Sequence, residues 1–109
     1  MTICNLDGSL KYNVYGPHWN EDITNTCHYS MAVCFVKDKI FAAYSGADHR
    51  SKEFHPNNIH IYSLDGEYIK TLKMNYHITG YCYDEDNHRL ILELNDDIQF
   101  GYLDLEGII

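Results

Sequence analysis

Positive charge is scarce in this chain. Eight Lys and Arg stand against 16 Asp and Glu among 109 residues, a formal net charge of −8. Charge-driven nucleic-acid binding needs Lys and Arg to displace phosphate counterions, and docking on an anionic membrane needs the same sign. The composition argues against both partners. Proline is rare too, with two residues, and no stretch combines a helical apolar period with a capping pattern. No apolar run approaches the roughly 20 residues of a membrane span. The first residues do not show a charged segment followed by an apolar one, the pattern of a secretion signal. The four cysteines, Cys4, Cys27, Cys34 and Cys82, form no C-x-x-C pair, the spacing that zinc sites use. Cys34 and Cys82 lie inside apolar runs and are expected to pack as small hydrophobes. A Cys4–Cys27 or Cys27–Cys34 disulfide stays open, and with it the compartment.

What is present favours strands. Hydrophobic residues make up 45% of the chain, enough for a core, and ten are tyrosines, whose rings suit a half-buried pleated surface. A short motif recurs: "CNLDGSLKYNVY" near the start, "IYSLDGEYIKTL" at 61–72 and "YLDLEGII" at the end. Its glycines, Gly8, Gly66 and Gly107, are 58 and 41 residues apart. The shorter spacing fits a four-stranded unit of about 40 to 50 residues, and the longer one fits the same unit with extra loop. Asp-Gly between alternating apolar residues is hairpin chemistry, because glycine accepts positive φ without a Cβ clash.

Alternation and turn residues place strands near 9–15, 30–36, 39–45, 58–64, 67–74, 78–84, 89–95 and 98–104, each paired with its sequence neighbour. "YSMAVCFV" is almost continuously apolar, as in a strand buried on both faces. Labelled A to D within a unit, the chain reads D, A-B-C-D, A-B-C, with "TICNL" as a stub of C. The units are 1–16, 28–75 and 76–109. In an antiparallel meander successive connections alternate between the two ends of the sheet. The short turns "KDK", "LDG" and "EDNH" then share one end, and the long polar insertions 17–28 and 46–58 share the other. Connections longer than a hairpin requires tend to carry function.

A unit reading I-x-I-Y-S-L-D-G-E-Y-I-K-T-L, followed by I-T-G-Y-C-Y-D-E-D-N-H-R-L, resembles a blade of a six-bladed β-propeller. The nearest likeness is to the TolB-like, NHL-like group, which includes exported bacterial lipoproteins of uncharacterised function. The resemblance implies an all-β fold of antiparallel four-stranded propeller blades, one complete and flanked by incomplete ones. It implies a C-terminal piece of about two blades out of about six. Its partners would be the remaining blades or copies of the chain itself. If "TICNL" stayed unpaired, three copies placed head to tail would supply about six blades of four strands.

The candidate ligand-binding residues lie toward the decorated end. Asp48, His49, Arg50 and Lys52 in "GADHRSKEF" offer mixed charge, and Arg50 suits a bidentate grip on a carboxylate or phosphate. The alternative is a solvated loop. Trp19, the only tryptophan, sits beside His18 as a stacking platform or a lid, and His77 maps to the same end. The seven histidines show no metal-ligand spacing, and no cofactor is expected. Asp84, Glu85 and Asp86 miss the calcium-loop pattern and read as a polar turn. No G-x-S-x-G, P-loop or H-E-x-x-H motif occurs, so no catalytic residue is singled out. The expected function is a non-enzymatic scaffold that binds a small molecule or a protein through the face carrying 17–28 and 46–58. The alternative is part of a propeller hydrolase or lyase with its site on that face.

Overall fold

The computed structural model describes residues 1–15, 29–47, 50 and 55–109. Nine strands form: β1 (Thr2–Cys4), β2 (Leu10–Asn13), β3 (Tyr29–Val36), β4 (Lys39–Tyr44), β5 (Asn58–Ser63), β6 (Tyr68–Lys73), β7 (Ile78–Asp84), β8 (Arg89–Leu94) and β9 (Phe100–Asp104). The eight expected strands lie within two residues of these bounds. They build antiparallel sheets of two, four and three strands, in the orders β1-β2, β3-β4-β5-β6 and β7-β8-β9. No helix occurs among the described residues, and so none long and apolar enough to cross a membrane.

The turn glycines explain why the chain reverses where it does. Gly8, Gly66 and Gly107 all have positive φ, at 88°, 83° and 77°, which an L side chain adopts only with strain. The Gly8 N–H donates to the Asn5 carbonyl at 2.9 Å, and the Gly66 N–H donates to the Ser63 carbonyl at 3.0 Å. The match extends to strand register. Ile3 pairs with Tyr12 and Cys4 with Leu10, as Ile61 pairs with Lys70 and Tyr62 with Tyr68. A register shift falls at the same place in each. β1 is therefore not a free stub, and the 58-residue repeat holds residue by residue through the hairpin. The unpaired "TICNL" that head-to-tail closure assumed is not observed.

Packing divides into two cores, one on each side of the four-stranded sheet. Val36, Phe41, Ile59 and Ile61 meet Ile78, Leu90, Leu92, Leu94 and Leu105 of the third sheet and its terminal turn. On the opposite face, Ile40, Ala42 and Tyr62 pack with Val14, Met1 and Ile3 of the first hairpin. Alternation along each strand makes this possible, since residues i and i+1 point to opposite faces. Lys70 Nζ donates to the Ile108 carbonyl and ties β6 to the terminal turn. The backbones of the second and third sheets come closest at β3 and β7.

Two expectations about β3 and β7 need correction. The first is that β3 is covered on both faces. Cys34 and Val36 are covered, but Val33 and Phe35 are 49% and 65% exposed. They point to the hairpin side, and the two-stranded hairpin is too narrow to reach them. The second is that Cys82 packs as a small hydrophobe. It is exposed, because the face of β7 that carries it looks away from the second sheet. The Cys4, Cys34 and Cys82 thiols are free, and Cys27 lies outside the described residues.

Phe41 is fully buried, so Phe41→Ala should cost about 3–5 kcal/mol. Phe35→Ala, on the same sheet but open to solvent, should cost under about 0.5 kcal/mol. Urea unfolding of both variants checks the contrast, and equal losses would overturn the assigned faces.

Candidate functional site

The register shows where the long connections attach. Tyr29 pairs with Tyr44, and Tyr44 pairs with Asn58. The chain entering β3, the chain leaving β4 and the chain entering β5 therefore stand at one end of the four-stranded sheet. The connection before β5 also crosses to its neighbours. The Met74 N–H donates to the Asn57 carbonyl at 2.7 Å, and the Ile78 N–H donates to the Pro56 carbonyl at 2.7 Å. Pro56 is buried there, linking the second sheet to the start of β7.

His77 precedes β7 at this end and is held in place. Its N–H donates to Asp96 Oδ2 at 2.7 Å, and its ring Nδ1 lies 3.7 Å from the same oxygen. Its carbonyl accepts from the Asn95 N–H at 2.9 Å. Beside it, Thr79, Glu93, Asn95, Asp96, Gln99 and Phe100 line a groove of about 380 Å³. The Thr79 hydroxyl donates to Glu93 Oε1 at 2.7 Å. The polar groups of the groove are carboxylates, amides and a hydroxyl, set beside Leu94 and Phe100, and they suit hydroxyl-rich or cationic groups rather than anions.

Of the residues singled out from sequence, His77 and the exposed Arg50 are described. Both sit on connections at this end. His18, Trp19, Asp48, His49 and Lys52 lie outside the described residues. The groove residues Glu93 and Asp96 were not singled out from sequence. Glu93 interrupts the apolar run "RLILEL", and a lone carboxylate at an alternating position was the available signal. Among the described residues no set of three or more His, Cys, Asp or Glu gathers as a metal site. Asp84 closes the 85–88 turn by accepting from Asn87 Nδ2 at 2.9 Å and Arg89 Nε at 2.8 Å.

A second polar feature is embedded in the hairpin-side face of the four-stranded sheet. The His60 ring stacks on Tyr44 at 4.6 Å between centroids, and Tyr62 and Tyr68 present their edges to it. His60 Nδ1 lies 3.3 Å from the Tyr62 hydroxyl. The Tyr68 hydroxyl is 3.0 Å from Thr71 Oγ1. Burial holds His60 below the usual imidazole range. Burial also pushes the Cys34 thiol up to about 11, so Cys34 is not a ready nucleophile.

No protein-family model matches the chain, and no curated protein or solved structure matches it either. The site is therefore read from its own geometry.

His60 predicts a pH dependence of stability. An unfolded histidine titrates near 6.5, and folded His60 titrates lower. Between the two values the unfolded chain binds more protons, so this contribution is complete above about pH 6.5 and is lost as pH falls through the folded value. Urea unfolding at pH 8 and pH 5.5 should show wild type losing more stability on acidification than His60→Phe. An identical loss in both would rule out His60 as the group responsible.

Proposed function

We propose that the chain is a non-enzymatic β-propeller scaffold, its three sheets being successive blades. We assign ligand or protein binding to the end that carries the long connections. The observation that supports the blade reading is the close approach of the second and third sheets along one pair of strands, from which we infer a fan. Their backbones approach closest at β3 and β7, the first strands of their sheets. Face-to-face sandwiches instead keep roughly 10 Å between sheets throughout. Sheets hinged along their first strands place those strands on an inner axis and send the later strands outward, as blades do. The TolB-like, NHL-like resemblance of the C–D turn agrees with this arrangement. In this reading Arg50, His77 and the Glu93–Asp96 groove contribute to the binding end. The other candidates, His18, Trp19, Asp48, His49 and Lys52, belong to insertions anchored there. Further blades, from whatever source, would complete the ring.

Spin-label distances test the fan. In a cysteine-free background, labels at Lys37 and Glu85 report the separation of the ends of β3 and β7. Labels at Leu64 and Glu106 report that of β5 and β9, at the same end of the sheets. The second separation should exceed the first. Equal separations would mean parallel sheets and would sink the propeller reading.

A further inference from the structure

The two sheet-on-sheet contacts inside the chain follow one rule, and the register shows that a third is left open. In the first contact, Met1, Ile3 and Val14 of the hairpin face the second sheet. In the second, Ile59, Ile61 and Leu72 face the third sheet. These are the same positions of the repeat, since Ile3 and Tyr12 pair as Ile61 and Lys70 do. The third sheet continues the series. Cys34 pairs with Phe41, and Phe41 with Ile61; correspondingly Cys82 pairs with Ile91, and Ile91 with Tyr102. Ala43 pairs with Ile59 as Glu93 pairs with Phe100. Hence Cys82, Ile91, Phe100 and Tyr102 occupy the positions that in the second sheet form the inter-sheet core.

Here Cys82, Phe100 and Tyr102 are exposed and Ile91 is half-buried, with the Arg89 guanidinium 4.8 Å from the Tyr102 ring centroid. Phe100 is 66% and Tyr102 64% exposed. With Gly80, Tyr81, Cys82, Ile91 and Glu93, Phe100 lines a mainly apolar groove of about 280 Å³ that carries one carboxylate. The complementary surface exists on the same molecule. Val33 and Phe35 on β3 stand where Tyr81 and Tyr83 stand on β7, paired with Ala42 and Ile40 as those pair with Leu92 and Leu90. Tyr81 and Tyr83 pack against the second sheet, whereas Val33 and Phe35 are open.

We infer that the outer face of β7-β8-β9 docks the Val33–Phe35 face of a second copy of this chain, repeating the internal contact between the second and third sheets. The occupant is a copy because the chain carries both halves of the contact, each with exposed apolar side chains and each at the matching repeat position. The contact is head to tail, so each copy offers one donor face and one acceptor face. β9 of one copy and β1 of the next stand at the same repeat position beside β2, so docking requires β1 to give up that edge. β1 has three residues and a register shift, against five residues in β9. The inference rests on register and exposure, and stands whether or not the sheets radiate as blades.

Sedimentation of the full chain tests it, with mass rising with concentration up to roughly millimolar. Glutamate placed in an apolar contact is strongly disfavoured. Phe35→Glu removes one face and Phe100→Glu the other, each at an exposed position, with unfolding curves close to wild type. Val33→Glu and Tyr102→Glu serve as second variants. Each variant alone should lose association by at least about a hundredfold. An equal mixture of Phe35→Glu with Phe100→Glu should form a one-to-one dimer and stop there, having one intact joint. A wild type that stays monomeric, a single variant that associates as wild type does, or a mixture that fails to pair would each overturn the inference.

Discussion

A β-sheet that is apolar on both faces has no stable existence without a neighbour on each side, and the four-stranded sheet is such a sheet. Phe41, Ile59 and Ile61 look one way while Ile40, Ala42 and Tyr62 look the other, and both sets are buried. Everything else follows from that demand. The hairpin is held by the second face, the third sheet by the first, and the terminal turn adds Leu105 to the larger core. At about 25 cal/mol per Å² of apolar surface removed from water, such faces dominate the stability of a chain this small. They also transmit the demand outward, since each covering sheet has an outer face of its own.

The strands were legible in the sequence because two independent signals coincide. Alternation selects the strand, and Asp-containing turns, Asp-Gly among them, select its ends. "TIC" was legible as a stub of strand C but not as a paired strand, because three residues are too few to show a period. Its role is visible once "CNLDGSLKY" is aligned with "YSLDGEYIK", where the shared turn brings a shared register. Burial was less legible than pairing. "YSMAVCFV" is apolar on both faces, yet Val33 and Phe35 are open, because burial belongs to what lies opposite and not to the strand itself. Cys82 makes the same point from the other side.

The candidate site was legible as a place and less so as a set of residues. Counting reversals put the long connections at one end, and the Tyr29–Tyr44–Asn58 register agrees at the strand termini. His77 was found because it is an imidazole next to a strand start. Its partner Asp96 sits 19 positions away in a turn full of acidic residues, where nothing local distinguishes one carboxylate from another. Tertiary placement made that pair.

One hydrogen bond between the sheets lies inside the larger core. The Tyr81 hydroxyl donates to the Phe41 carbonyl at 2.8 Å across the larger core, in surroundings that push its ionisation far above the usual phenol range. Apolar faces resist separation and hold their offset only through interdigitation, since dispersion itself has no preferred direction. A buried directional bond does not slide. Tyr81 thus acts as an index pin that helps to set the lateral offset and the angular pitch between the two faces. An error of a few degrees is harmless in one joint and compounds over a series of them. Within each chain the offset of the second and third sheets rests on this hydroxyl together with the Ile78–Pro56 and Lys70–Ile108 bonds, whereas a joint between copies would carry Val33 in the place of Tyr81.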